Sequence, residues 1–385
     1  MSAVAPFRNH LPVKIRFGEG VAADLASVLA DEGATQPLVV IDEGLAGLVP
    51  RVADALAAVS GATTFEKAPG EPTVALVEQA AAALQAAGCD AVVAIGGGSA
   101  MDTAKAARLV AGQGGPYLRY AGGGVTYEPP KIPLVCIPTT AGTGSEVSGG
   151  AVITDEATHR KAGIASPHLR AQHALVDPAL TWGLPPGITA HTGVDALAQA
   201  IAAMVVTART PIGDGVALES IRLAGEALVR VVRDGSDHEA RSQMACASLL
   251  GGLCMNISDC GAEHSLAQAL GGRYGMPHGL TIGLVLAETM DRDRAHVPGQ
   301  FERIADALDE PGSGTDGARA VQAVRRILAE LDFPTAAAAG VREADLDGLT
   351  AAALEDYFIS VAPAPWTPAE VRAAYEQGLA LGDRR

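Results

Sequence analysis

Two regimes of hydrophobic patterning succeed one another along the chain. Between Pro37 and Thr140, short apolar runs alternate with longer segments of helical period. "PLVVID" (37–42), "TTFEKA" (63–68), "DAVVAIG" (90–96) and "KIPLVCIPTT" (131–140) predict strands. "VPRVADALAAV" (49–59) and "PTVALVEQAAAALQAAG" (72–88) predict helices, the second opened by Pro72 and Thr73 and closed by Gly88. A glycine turn followed by "SAMDTAKAARLVAG" (99–112) predicts another. Strands separated by helices of this length predict parallel pairing with right-handed crossovers. The regime changes at "TWGLPPGITAHTG" (181–193), whose paired prolines and glycines mark a boundary. Beyond it strand-like runs fade and helical segments dominate: 212–235, 238–257, 300–310 and 318–331, with "EPGSGTDGA" (310–318) as a solvated loop. The expected architecture is an α/β domain with a parallel sheet over residues 1–184 and an all-helical domain over 185–385.

Composition narrows the picture. Hydrophobic residues make up 48% of the 385 positions and aromatics only 4%, so the core must be built from Ala, Val, Leu and Ile. A formal charge of −16 leaves no basic stripe to neutralise phosphates, which argues against nucleic acid or an anionic membrane as partner. No run of 18 apolar residues occurs and "MSAVAPFRNHLPVK" lacks an apolar core; a cytoplasmic protein is expected. Cys89 and Cys136 lie against apolar strands and read as core. Cys246, Cys254 and Cys260 are separated by 8 and 6 residues, which does not match zinc-finger spacing and favours helix packing.

Two loops carry nucleotide chemistry. "AIGGGSAMDTAKA" sets three glycines between a strand and a helix, where backbone approaches closely and free N–H groups meet a diphosphate. The pattern is not G-x-G-x-x-G, so by itself it reads equally as a tight turn. "IPTTAGTGSEV" (137–147) adds Thr139, Thr140, Thr143 and Ser145 after a second strand. Two such loops on neighbouring parallel strands share one carboxyl edge, where ligands bind in these folds. Asp42, closing the first strong strand, can accept from an adenosine ribose and repel a 2′-phosphate, or belong to an exposed turn. Asp102 and Lys105 read as an exposed i,i+3 pair or as charge at a helix start.

The helical half holds the other candidates. "DALAQAI" (195–201) is echoed by "HSLAQAL" (264–270), each placing a metal-binding type four residues before a glutamine: Asp195 with Gln199, His264 with Gln268. With His278 in "GMPHG", one carboxylate and two imidazoles suit a divalent ion with an open position. His191 precedes Asp195 by four residues and is a possible neighbour of that site. His10, His159, His168, His173, His238 and His296 are expected to face solvent.

Taken together, these stretches resemble the iron-containing (group III) alcohol dehydrogenase family of the dehydroquinate synthase-like superfamily. The likeness runs from "IRFGEG" through "AIGGGSAMDTAKA", "IPTTAGTGSEV", "GLPPGITAHTGVDALAQAI" and "YGMPHG" to "PWTPAEVRAAYEQGL". It implies an N-terminal dinucleotide domain, a helical domain, and a cleft between them for NAD, or NADP, and a divalent metal. Fe2+ is the first expectation, with Zn2+ and Mn2+ as alternatives. Cofactor contacts implied by the resemblance are Asp42, Gly97, Gly98, Ser99, Asp102, Thr139, Thr140, Thr143 and Lys161. The implied metal set is Asp195, His264, His278 and Gln199, the last standing where the family has histidine. Gln268 likewise replaces a histidine near the nicotinamide, so the implied catalytic group is His264, His278 and Gln268. The expected activity is hydride transfer between nicotinamide and a small alcohol or aldehyde, in a homodimer. A metal-independent reductase of the maleylacetate type is the first alternative, followed by a dehydroquinate-synthase-like lyase and a non-catalytic NAD-binding protein.

Overall fold

The computed structural model describes residues 6–122, 125–158 and 160–380. His159, expected to face solvent, lies outside the described residues. The chain forms two compact units: Leu11–Leu184, and a second built from Pro185 onward together with residues 6–10.

The first unit runs β1 (Lys14–Phe17), α1 (Leu25–Asp31), β2 (Pro37–Asp42), α2 (Leu45–Leu48), α3 (Pro50–Ala57), β3 (Thr63–Lys67), α4 (Val74–Ala86), β4 (Ala91–Gly96), α5 (Gly98–Gln113), β5 (Leu134–Pro138), β6 (Gly150–Asp155), β7 (Arg160–Ala165) and β8 (His173–Val176). Six strands form one wholly parallel sheet in the order β1-β8-β5-β4-β2-β3. Alternate residues of a strand point to opposite faces. Val39, Ile41, Val93, Ile95, Val135 and Ile137 accordingly pack on one side with α1 and α3. Leu38, Val40, Val92, Ala94, Leu134 and Cys136 pack on the other with residues of α4 and α5. Both faces are covered, which is why these strands read as unbroken apolar runs. The expected α/β class is borne out. Strands β1 and β8 and the antiparallel β6–β7 pair carry no such run and were not singled out in the sequence.

The second unit is helical: α6 (Pro186–Val205), α7 (Pro211–Arg233), α8 (His238–Ser258), α9 (Ala262–Tyr274), α10 (His278–Asp293), α11 (Pro298–Ala307), α12 (Ala318–Glu330), α13 (Leu346–Glu355) and α14 (Pro368–Ala380). Helix α6 is long and apolar enough to cross a membrane, yet 83% of its most apolar stretch is buried in the protein. It packs against α7, α8 and α10, so its apolarity serves a core. Two of its approaches need glycine. A Cβ on Gly279 would stand 2.2 Å from the carbonyl oxygen of His191, and one on Gly251 3.1 Å from that of Ala196. Those contacts bring the start of α10 and the middle of α8 against the α6 backbone.

His173 corrects an expectation: it is buried in β8, with Nε2 2.7 Å from Glu32 Oε1. His173 pairs with Lys14 of β1 and Val135 of β5, and both His173 and Lys14 meet the Glu32 carboxylate just after α1.

Candidate functional site

The parallel register places the nucleotide candidates of the first unit at one edge. Asp42 pairs with Lys67 and Gly96 with Pro138, all at the carboxyl ends of their strands. The amide of Thr139 donates to the Gly96 carbonyl at 3.0 Å, so the two loops start side by side. A Cβ on Gly98 would lie 2.8 Å from Cγ2 of Thr143, and one on Gly97 3.4 Å from Oγ1 of Thr140. The approach of the second loop therefore requires glycine at position 98, whatever ligand binds, while a Cβ at position 97 would make only an ordinary contact. Helix α5 begins at Gly98 without a side-chain cap, leaving its leading N–H groups and positive dipole end for an anion.

Around this edge, polar side chains stitch the loops together. Ser99 donates to the carbonyl of Gly70 at 2.7 Å. Asp102 accepts from Ser145 Oγ at 2.7 Å and from the amide of Val152 at 2.9 Å. Lys105, fully buried, donates to Ser145 Oγ, Ser148 Oγ and the Gly150 carbonyl at 2.7, 3.1 and 2.8 Å. Burial pushes the Asp102 carboxyl up and the Lys105 ammonium down, each opposed by the other's charge. The exposed i,i+3 reading of this pair is thus corrected: Asp102 and Lys105 are 3.8 Å apart inside the unit and brace the second loop. Glu146, buried beside them, is pushed up to about 7 by desolvation. Lys161 lies on β7, its Nζ bound to Glu71 Oε2 at 2.7 Å and Thr154 Oγ1 at 3.1 Å.

The second unit assembles a different group. Among the described residues, Asp195, His264 and His278 are the only set of three or more Asp, Glu, His or Cys whose ligand atoms all lie within 4.8 Å of one another. Asp195 comes from the middle of α6, His264 from the first turn of α9 and His278 from the first residue of α10. Nε2 of His264 is 3.8 Å and Nε2 of His278 3.6 Å from Asp195 Oδ1. These are too long for hydrogen bonds. A tetrahedral ion with bonds of about 2.1 Å separates its ligands by about 3.4 Å. Asp195 Oδ1 is buried without a hydrogen-bond partner, a costly state that a cation relieves. The residues fit a divalent metal.

Glu263 completes the arrangement and was missed in the sequence. It is buried, and its Oε1 lies 2.7 Å from His264 Nδ1. A carboxylate only accepts, so Nδ1 carries a proton, and in the neutral imidazole Nε2 is then the nitrogen left to donate its lone pair to a metal. The same oxygen accepts from the Gly261 amide at 3.1 Å, fixing the turn into α9. An acidic residue directly before a candidate ligand was the available signal. Gln199, one turn after Asp195, is buried with its amide oxygen 3.5 Å from the Cβ position of Gly251. Gln268 is half-buried one turn after His264. His191, one turn before Asp195, packs its ring edgewise on Phe333 at 5.4 Å, and desolvation lowers its pKa. Phe358 stands edge-on to His264 at 5.7 Å. Cys254 and Cys260 are buried thiols of the helical core, and Cys246 is half-buried.

The first unit thus carries paired loops at the carboxyl edge of a parallel sheet, and the second an Asp-His-His cluster that fits a divalent metal. The profile of the iron-containing alcohol dehydrogenases matches residues 12–178, and that of the C-terminal part of the Fe-containing alcohol dehydrogenase family residues 189–379. Similar in sequence is a 4-hydroxybutyrate dehydrogenase of Cupriavidus necator, 37% identical over 94% of this chain and 96% of that protein. Alcohol dehydrogenase 4 of Schizosaccharomyces pombe is 35% identical over 96% of this chain and 88% of its own. A solved 1,3-propanediol oxidoreductase superposes with a TM-score of 0.92 at 30% identity, covering 97% of this chain and all (100%) of that one. A sulfoacetaldehyde reductase from Bifidobacterium kashiwanohense, solved with NAD+, gives 0.89 at 27% identity over 98% and 99% of the two chains. The chain belongs to the iron-containing alcohol dehydrogenase family. It is an oxidoreductase acting on CH–OH groups.

Proposed function

We propose that the protein interconverts a small alcohol and its aldehyde with NAD(H), using a divalent metal held by Asp195, His264 and His278. When bound, the nicotinamide supplies the hydride and the metal the Lewis acidity for the substrate oxygen. The carrying observation is the buried, unpartnered Asp195 Oδ1 with two imidazole nitrogens 3.6 and 3.8 Å away. Glu263 orients one of those imidazoles, and Asp195 supplies the negative charge that a dication requires. Gln199 is neutral like the imidazole it replaces, but an amide oxygen is a weaker donor for iron or zinc, and here that oxygen faces Gly251 of α8. Fe2+ is the metal this reading favours, with Zn2+ and Mn2+ as alternatives.

Gln268 cannot carry a proton at neutral pH. His191 shares the Asp195 face of α6 and, inclined to its neutral form by burial, is the imidazole this chain offers as a relay. For the cofactor, Asp42 favours NAD, with Gly97, Gly98 and Ser99 at the diphosphate, Thr139, Thr140 and Thr143 on the second loop, and Asp102 and Lys161 supporting. The names of relatives that act on 4-hydroxybutyrate, methanol and 1,3-propanediol support a short alcohol or its aldehyde as substrate. The net charge of −16 supports a protein without nucleic-acid or anionic-membrane partners, and family resemblance supports a homodimer.

The test is a screen of short alcohols and aldehydes against NAD+ and NADH, on metal-stripped enzyme and after loading with Fe2+, Mn2+ or Zn2+. Metal-dependent turnover is expected. No oxidation of NADH with any substrate under any metal would sink the reading; equal turnover by the stripped enzyme would sink its metal half.

A further inference from the structure

We propose that Lys67 governs the adenosine end of the dinucleotide site: it pins one oxygen of Asp42, and it becomes a receptor for a 2′-phosphate when that carboxylate is removed. The proposal rests on the reading that the first unit binds a dinucleotide with Asp42 at the ribose.

Lysine is almost never fully buried without a partner. Lys67 is wholly inside, at the end of β3 and in register with Asp42 at the end of β2. Its three donors are all committed: Asp42 Oδ1 at 2.6 Å, the Ala68 carbonyl at 2.9 Å and the Gly70 carbonyl at 3.3 Å. Two backbone carbonyls therefore hold the ammonium in place independently of Asp42. The pinned Oδ1 leaves Oδ2 as the oxygen that serves a ligand. Oδ2 lies 2.8 Å from the Cβ position of Gly96, the residue that precedes the diphosphate loop, and the Asp42 side chain is 29% exposed. A ribose diol can donate to that oxygen. The Gly70 carbonyl also accepts from Ser99, so the ammonium and the diphosphate loop share one anchor.

The buried ammonium cancels most of the charge of Asp42 seen from the cofactor. Discrimination against a 2′-phosphate then comes from Asp42 occupying the position and offering only acceptors. Truncation to alanine vacates the position and uncovers an ammonium already desolvated and already held, which a phosphate can use directly. One substitution should move the preference from NADH to NADPH, and Lys67 should be necessary for that move.

The experiment is direct fluorescence titration of NADH and NADPH, without substrate, on wild type, D42A, K67M and D42A/K67M, with thermal unfolding recorded for each. Wild type should prefer NADH. D42A should shift the NADPH-to-NADH affinity ratio at least tenfold toward NADPH, and D42A/K67M should lose that gain. K67M alone should weaken NADH several-fold while keeping the preference. A double variant that binds NADPH as tightly as D42A overturns the proposal, as does K67M binding NADH like wild type. Should K67M not fold, K67Q and D42A/K67Q decide on the same ratios, because glutamine has no charge to offer a phosphate. Wild type binding neither dinucleotide overturns the underlying reading and this proposal with it; binding without the coupling overturns this proposal alone.

Discussion

Removing Glu263 should loosen the metal site without touching a ligand. Its carboxylate accepts from His264 Nδ1 at 2.7 Å and from the Gly261 amide at 3.1 Å, in a buried setting where neither donor has water to turn to. Glu263→Ala leaves both donors short of an acceptor, costing about 1–3 kcal/mol of stability per buried group. It also frees the imidazole to adopt the other tautomer, which turns a proton toward Asp195. Losing such an outer carboxylate typically costs about 10–100-fold in metal affinity, or roughly 1.4–2.8 kcal/mol at 1.4 per tenfold. Glu263→Gln keeps an acceptor at the same reach and should fall at the low end. The assay is competitive titration of Zn2+ against a chelator, paired with thermal unfolding of the metal-free protein. If Glu263→Ala binds Zn2+ as tightly as wild type while Asp195→Ala abolishes binding, Glu263 does not orient His264 toward the metal.

Asp195→Asn should eliminate tight metal binding yet raise the melting temperature of the metal-free protein, since Oδ1 is a buried charge with no hydrogen bond; an unchanged metal affinity would contradict the ligand assignment. Gly98→Ala places a Cβ 2.8 Å from Thr143 Cγ2, an overpacking of about 1–3 kcal/mol, and should weaken NADH binding. Thr143→Ala in the same chain should restore part of the melting temperature. Asp293 is pushed up to about 7 by burial, in spite of the hydrogen bonds from Arg292 and Trp366. With the folded pKa above the unfolded 3.8, the native state binds the extra proton, so this group's contribution to stability falls as pH rises from about 4 through 7. The shift of about three units sets an upper bound of about 4 kcal/mol. Asp293→Asn should flatten that slope in chemical denaturation at pH 5 and pH 8.

Much of the fold was legible because burial on both faces writes itself into the strands. "PLVVID", "AVVAIG" and "LVCIP" are apolar almost throughout, which marked them as strands and implied parallel pairing, whereas their order in the sheet came only from the structure. Strands β1 and β7 were not, since Lys14, Arg16, Arg160 and Lys161 break the apolar run; β6 and the four-residue β8, which opens on a histidine, were also not singled out. His173 looked like a surface residue, and only β8's place between β1 and β5 buries it. The metal candidates were visible through residue type and the i,i+4 spacing, which chemistry constrains directly.

What the amino-acid order determined was therefore local: element type, the glycine-rich turns, and which residues could ligate a metal or accept a ribose. Which of those residues share a site was decided only by tertiary packing. Gly279 lets α10 close on α6 so that His278 reaches Asp195 across 83 positions of sequence. The β2–β3 register sets Lys67 behind Asp42, and the turn into α9 sets Glu263 behind His264. Ligand types are a property of side chains, but their separation and charge balance depend on backbones that meet far apart in the chain.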